Sequence, residues 1–257
     1  MSQQEAYDFI TRRLGFTAEQ ISLLVEIMLD QTILNPIVPE TVGRLGKLLD
    51  LRPGKTMLDL ACGKGGVSLP LVYTYKVKLT GVDIIPDFIR EAWSRAEYSG
   101  IHEFCNFITG DAADFTARSN RQWDAVLILG ALPMIWEGLE AGLDHSVPLV
   151  KPGGSLVIGV PYQKPDGEQD PNMPWPSREE ITALMGRVGR VVETLDDGAE
   201  GWAAYIEGQE KGIKRLREEK QGNPAALAFI DQWAGRHEWE RKNIGFALWI
   251  VQVPEAG

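Results

Sequence analysis

The stretch Leu58-Asp59-Leu60-Ala61-Cys62-Gly63-Lys64-Gly65-Gly66 constrains this chain more than any other. A short apolar strand, Met57–Leu60, runs straight into a glycine loop, and a helix is predicted over Val67–Tyr75. Gly63 and Gly65 let the backbone turn sharply and let a ligand approach where a Cβ would block it. The spacing is not the dinucleotide fingerprint G-x-G-x-x-G. Ser68 stands at the third glycine position, and an acid, Asp59, lies inside the strand end.

From Lys55 onward, short apolar runs alternate with helical stretches. Strands are predicted at Val77–Asp83, Phe104–Thr109, Ala125–Leu129 and Ser155–Val160, with helices at Pro86–Ser99 and around Glu137–Leu149. Such alternation argues for parallel βαβ units in an open doubly wound α/β sheet, and the right-handed crossover rule limits the topology to Rossmann-like orders. A sixth strand, Val191–Leu195, and a last one, Gly245–Val253, complete the pattern. Residues 1–50 read as helical: Thr17 and Gln20 form a capping box, Ile21, Leu24, Val25 and Met28 share one stripe, and a further helix starts at Pro39. Residues 161–176 form a Pro-rich loop, and residues 199–243 read as helical, polar and Trp-rich. The expected units are a helical cap (1–50), a Rossmann-like domain (51–198 and 244–257) and a helical lid insertion (199–243).

Each strand end carries a residue with a possible use. Asp83 closes Gly81-Val82-Asp83-Ile84, where a carboxylate can accept both hydroxyls of a ribose or simply cap the helix that opens at Pro86. Gly110-Asp111-Ala112 follows the third strand; Asp111 can accept an adenine amine beside the Ala112 N–H, or the segment is an ordinary turn. Leu129-Gly130 ends the fourth strand, and Lys151-Pro152-Gly153-Gly154 makes a tight turn into the fifth.

Composition narrows the partners. The chain has 257 residues, 26 basic against 36 acidic, for a net charge of -10. Nucleic-acid binders draw much of their affinity from phosphate contacts on a basic face, so this balance argues against that class. Two cysteines, Cys62 and Cys105, exclude a disulfide framework and a Cys-rich zinc site, and three scattered histidines leave any metal centre mostly carboxylate, so none is expected. The longest apolar run, Ala125 to Trp136, falls short of the roughly 20 residues a spanning helix needs. The start has no apolar signal core. The chain reads as cytoplasmic, without membrane contact.

Taken together, LDLACGKGG, GVDI, GDAADF, DAVLILGAL and KPGGSLVI resemble the successive motifs of class I S-adenosylmethionine-dependent methyltransferases over roughly residues 50–160. NPIVPETVGRLGKLLDLRPG and EGWAAYIEGQ…IGFALWIV further resemble a group of small-molecule methyltransferases from bacteria. The resemblance implies a seven-stranded sheet with an antiparallel last strand, S-adenosylmethionine as cofactor and a small-molecule acceptor. It implies that Asp59, Ala61, Gly63 and Gly65 surround the methionine portion, and that Asp83 holds the ribose with Ile84 on one face of the adenine. Asp111 and Ala112 would hold the adenine edge, and Leu129 and Gly130 would close the site near the sulfonium. Ala61 departs from a position that is often glycine in the family. The ACGKGG stretch also resembles the cap guanine-N7 methyltransferases, and a nicotinamide-dependent oxidoreductase is the alternative on this sheet; the acidic charge speaks against the first and the missing third glycine against the second.

Methyl transfer needs alignment and exclusion of water more than a proton relay, so catalytic residues are harder to read than cofactor residues. Tyr162, just past the fifth strand, and His237 are the base candidates. Trp175 in the Pro-rich loop and Trp202, Tyr205, Trp233 and Trp239 in the insertion form an aromatic cage over the pocket, or pack the insertion onto the sheet. A lid of this size serves a monomer or a homodimer.

Overall fold

The computed structural model describes residues 3–171 and 174–255. Three helices come first: α1 (Gln3–Leu14), α2 (Ala18–Ile27) and α3 (Pro39–Leu48). Thr17 caps α2 through a capping box with Gln20, as its spacing requires. The alternating part runs β1 (Thr56–Leu60), α4 (Ser68–Tyr75), β2 (Lys78–Asp83), α5 (Pro86–Tyr98), β3 (Cys105–Thr109), α6 (Ala112–Ala117) and β4 (Trp123–Leu129). Then come α7 (Leu132–Ile135), α8 (Leu139–Ser146), β5 (Val150–Gln163), α9 (Arg178–Gly186), β6 (Arg190–Leu195), α10 (Gly198–Glu219), α11 (Pro224–Asn243) and β7 (Ile244–Gln252).

The seven strands lie in the order β3-β2-β1-β4-β5-β7-β6. The first five are mutually parallel, and β7 runs antiparallel between β5 and β6. This is the Rossmann-like sheet of class I methyltransferases that the motifs imply. The strand order reverses between β1 and β4, so the crevice where an open sheet binds ligands lies at their carboxyl ends.

Both faces of the sheet are covered, which explains why its central strands are apolar throughout rather than alternating. Met57, Leu127 and Ile250 belong to the core shared with α3, α4 and α5. Leu58, Ile128 and Trp249 belong to the core under α7, α8 and α9. Each such side chain contributes about 1.5–3 kcal/mol by leaving water. Trp249 is fully buried and still donates its indole N–H to Thr182 Oγ1 at 2.9 Å.

Two expectations need correction. Lys151-Pro152-Gly153-Gly154 is not a turn ahead of the fifth strand. It is an irregularity inside the longer β5, where the register against β4 jumps between Trp123↔Val150 and Ala125↔Ser155. Gly153, at φ 71°, allows the bulge, and its N–H is taken by Pro254 O at 3.1 Å. The helix expected around Glu137–Leu149 is α8, which Pro148 closes in a short 3₁₀ turn, but the short α7 ahead of it, set off by Gly138 at φ 123°, is not expected from the sequence.

The helices outside the sheet form a connected layer. Gly201, Gly208 and Gly212 of α10 let that helix lie against residues 27–36: the backbone of Pro36, the side chain of Gln31 and the backbone of Ile27 fill the space a Cβ would need. Leu23, Ile27, Ile213, Leu216, Phe229 and Ile230 fill the junction of α2, α10 and α11. No helix among the described residues is long and apolar enough to cross a membrane.

Candidate active site

Two adjoining cavities open at the carboxyl ends of β1, β2 and β4, sharing Ala61, Asp83 and Met134. The smaller, of about 200 Å³, is lined by Asp59, Ala61, Gly63 and Lys64 of the glycine loop, by Leu129 and Gly130 after β4, and by residues 32–35. The larger, of about 350 Å³, is lined by Ile84, Asp111 and Ala112 on the sheet side, and by Phe16, Leu24, Met28 and Trp233 from the helices above.

The loop geometry follows from the sequence. Ala61 ends β1 in the left-handed region at φ 56°, followed by Gly63 at 54° and Gly65 at 69°. A left-handed alanine costs about 1–2 kcal/mol, strain of the kind found beside binding sites. The glycines, however, answer chiefly to the protein itself. A Cβ on Gly63 would meet Leu34 at 2.9 Å, one on Gly66 would meet the Thr32 carbonyl, and one on Gly130 would meet the Asn35 amide. Gly65 is not among the residues that line either cavity, and a Cβ on it would meet Leu69 and Phe107.

Residues 28–35 therefore act as a strap across the mouth of the smaller cavity. Its main anchor is Lys64, whose side chain is entirely buried. The ammonium donates to Met28 O at 2.7 Å and Leu29 O at 2.6 Å and pairs with Glu91 at 3.0 Å. These carbonyls lie at the carboxyl end of α2, where the helix dipole favours a cation. Arg95 donates to Thr32 Oγ1 at 2.8 Å, Asn35 Nδ2 reaches Leu129 O at 3.4 Å, and Gln31 Nε2 reaches Tyr205 O at 3.1 Å. Sequence reasoning missed this strap. A single lysine within a glycine motif carries no pattern that announces burial.

The acids set the electrostatics. Asp83 accepts the Gly63 N–H at 2.7 Å on one oxygen and the Ile85 N–H at 2.8 Å on the other; it fixes the turn before α5 without capping that helix, whose N-cap is Ile85, and still has lone pairs left to offer. Burial nonetheless holds its carboxyl up at about 6, against the pull of those backbone donors. Asp59 is pushed to about 7, first by burial, partly opposed by the Ser68 hydroxyl and reinforced by Asp83. Cys62 lies beside both, and burial together with these acids drives its thiol well above the ordinary value, which keeps it protonated and unreactive. Asp111 caps α6 through the Asp114 N–H at 2.7 Å. The site is thus acidic, and its one cation, Lys64, is already committed.

Several residues chosen from sequence stand elsewhere. Tyr162 is packed in the β5–β7 layer against Trp249 and donates its hydroxyl to Asp196 Oδ2 at 2.6 Å; burial and that carboxylate push its phenol up to about 12, so it is not a base at the cavity. Replacing it with phenylalanine should cost about 0.5–1.5 kcal/mol of stability in a denaturant melt, the scale of one hydrogen bond, and leave cofactor affinity unchanged. His237 is buried inside the helical pair, its Nε2 at 3.0 Å from Gln209 Oε1, and burial lowers its pKa. Since that oxygen only accepts, His237 donates from Nε2. Trp202 and Tyr205 pack edge to face within the α10 layer, Trp239 stands on α11 outside both cavities, and Trp175 lines a separate groove beside α9 with Pro133, Leu139 and Leu184. Of the insertion's aromatics, Trp233 alone lines the larger cavity among the described residues.

The arrangement fits a cationic nucleotide-like cofactor. Asp83 at the end of β2 suits a ribose, and Asp111 with Ala112 suits an adenine edge. Two buried acids, with no basic side chain among the causes of Asp59's shift, suit a positively charged amino acid portion. Such a partner should bind better as pH rises. Between pH 6 and 8 Asp59, with its carboxyl at about 7, gains most of its charge, so calorimetry should show S-adenosylmethionine affinity rising about tenfold, a dependence that Asp59→Asn cuts to the roughly twofold left by Asp83. The same shift has a stability sign. The folded state keeps a proton that the unfolded chain has lost, so Asp59's contribution falls as pH rises from about 4 to about 7. The ligand-free Asp59→Asn protein should therefore melt later than the parent at pH 8, by about 1–3 kcal/mol, and no later at pH 4.

Comparisons with known proteins agree. Residues 57–154 match the family model described as a methyltransferase domain. The uncharacterized protein YjhP of Escherichia coli (strain K12) is 32% identical over 186 residues, spanning 68% of this chain and 74% of that protein. Demethylmenaquinone methyltransferase of Desulfitobacterium hafniense (strain Y51) is 26% identical over 142 residues, spanning 54% of this chain and 55% of the relative. The solved structure of a SAM-dependent methyltransferase from Geobacter sulfurreducens, in complex with S-adenosyl-L-homocysteine, superposes with a TM-score of 0.80 at 25% identity, covering 90% of this chain and 98% of the other.

Proposed function

This chain belongs to the class I S-adenosylmethionine-dependent methyltransferases, and from that premise we propose that it methylates a small molecule held between its cofactor crevice and its helical layer. The observation that carries the reading is the pair of cavities sharing Ala61, Asp83 and Met134: one at the glycine loop, the other walled by α1, α2 and Trp233. When bound, the cofactor supplies an electrophilic methyl on a sulfonium. Asp83 holds the ribose hydroxyls, Ile84 one adenine face, and Asp111 and Ala112 the adenine edge. Asp59 offers its carboxylate to the amino acid end, beside Ala61 and Gly63. Leu129 and Gly130 close the site from β4.

The remaining task of the protein is to align the acceptor and exclude water. The two cavities are lined by no histidine or tyrosine among the described residues, and Lys64 is tied to the strap. The chain therefore contributes placement and dryness, and the acceptor atom brings its own lone pair. The pair α10–α11 serves as the lid, contributing through Trp233. The net charge of -10 and the largely apolar lining of the larger cavity favour a small acceptor over a nucleic acid. The relative named for demethylmenaquinone acts on a small molecule as well.

The test is a labelling experiment. The protein is incubated with methyl-labelled S-adenosylmethionine and a cell extract, which is then separated into small-molecule, RNA and protein fractions. Label in the small-molecule fraction is expected. Label confined to RNA or protein would overturn the acceptor class.

A further inference from the structure

We propose that the acceptor is an uncharged, largely apolar molecule with a flat face, laid against Trp233. The proposal rests on the methyl-transfer reading of the same site and adds the chemistry of the acceptor. The larger cavity has a sheet-side floor, which the cofactor's adenosine part takes at Asp83, Ile84, Asp111 and Ala112, and a helical roof, against which the acceptor is placed. Asp83 and Asp111, on the floor, are the only ionisable side chains among its described lining residues. The nearest ammonium, Lys64, opens on the neighbouring cavity and is occupied by the Met28 and Leu29 carbonyls and Glu91. A phosphate or carboxylate on the acceptor would meet two acids and no countercharge, and burying such a group unpaired is costly. A cationic acceptor would find only the two acids that ribose and adenine engage.

The roof adds shape. Phe16, Leu24 and Met28 contribute hydrocarbon or thioether, and Trp233 lines the same roof. The orientation of that ring is fixed from behind. Its Nε1–H donates to Gln209 Oε1 at 2.8 Å, and the same oxygen also receives His237 Nε2 at 3.0 Å. Gln209 is wholly buried, so the indole's one polar group is used up inside the lid. Phe229 stacks on Trp233 with centroids 6.5 Å apart and planes 27° apart, which holds the ring from its other side. The result is a rigid apolar wall with no donor toward the cavity. Gln209 and His237 are thus positioning residues for Trp233, which accounts for a buried histidine and glutamine that line neither cavity.

The protein saturated with S-adenosylhomocysteine is titrated by calorimetry with 2-naphthol and, separately, with 2-naphthoate at neutral pH, two flat probes that differ in charge. The neutral probe should bind about tenfold or more tightly than the anion, given the cost of an unpaired buried charge. Trp233→Ala should weaken 2-naphthol by about fivefold or more through the lost ring contact, a larger loss than it causes for S-adenosylhomocysteine. Trp233→Phe, which keeps a ring without the N–H and guards against a variant that fails to fold, should retain most of the 2-naphthol affinity. Equal or tighter binding of 2-naphthoate, no binding of 2-naphthol, or indifference of 2-naphthol to Trp233→Ala would overturn the proposal while leaving the methyl-transfer reading intact. Failure of S-adenosylhomocysteine itself to bind would overturn the underlying reading and the proposal with it.

Discussion

Replacing Lys64 with methionine is expected to lower the melting temperature by about 5–10 °C and to weaken S-adenosylhomocysteine binding by about tenfold or more. Methionine approximates the length of the lysine stem and removes only the ammonium. What remains is a pair of carbonyls at the end of α2 without their donor and Glu91 without its partner. Breaking a buried charged contact from one side costs about 2–4 kcal/mol, because the groups left behind are already out of water. Glu91 is 35% exposed at its side chain and recovers some hydration, which places the loss toward the lower end. The effect on the cofactor follows from position: residues 32–35, just beyond the two carbonyls, wall the smaller cavity. Melting curves with and without the ligand separate the two effects. A variant as stable as the parent, with full affinity, would remove Lys64 from the account of the strap.

The second large effect is expected at Asp83. Asp83→Ala should weaken cofactor binding by about 2–4 kcal/mol, since it removes a charged acceptor and also frees the Gly63 and Ile85 N–H groups it holds at 2.7 and 2.8 Å. Asp83→Asn tells the two roles apart. It keeps an acceptor for one backbone N–H and loses the charge, so the loop should hold while affinity falls by a smaller amount. Calorimetric titration with S-adenosylhomocysteine reads both. If the alanine variant bound as tightly as the parent, Asp83 would only be tying the Gly63 and Ile85 backbone together.

The sheet was legible because its strands are written as short apolar runs ending in small or acidic residues, and buried parallel strands need that pattern. The same periodicity placed Asp59, Asp83, Asp111 and Gly130 at strand ends, where the switch point of the sheet gathers them. The limits were set by tertiary packing. Gly63 reads as room for a ligand and Gly130 as a wall near the sulfonium, whereas in the structure the space opposite their missing Cβ atoms is taken by Leu34 and Asn35. Nothing local to the glycine loop says that a strap some 30 residues earlier will lie on it.

The aromatics of 199–243 failed as a set for a related reason. α10 packs against α2, the strap and α11, so more than one of its faces is buried and helical spacing alone does not say which aromatic looks into a cavity. Tyrosine and tryptophan also carry a polar atom that must be paired when buried. Tyr162 found Asp196 and Trp233 found Gln209, and those pairings, invisible in a linear pattern, decided where the rings went. Lys64 is the converse case, a residue normally read as solvent-facing that the end of α2 draws fully inside.

The account stands most directly on a crystal structure of the protein with S-adenosylhomocysteine. It predicts the ribose on Asp83, the adenine between Ile84 and the Asp111–Ala112 edge, and the amino acid end beside Asp59 and Gly63 under residues 32–35, with the sulfur directed toward Gly130 and the cavity roofed by Trp233. A ligand bound away from the ends of β1, β2 and β4, or one whose ribose leaves Asp83 untouched, would contradict it.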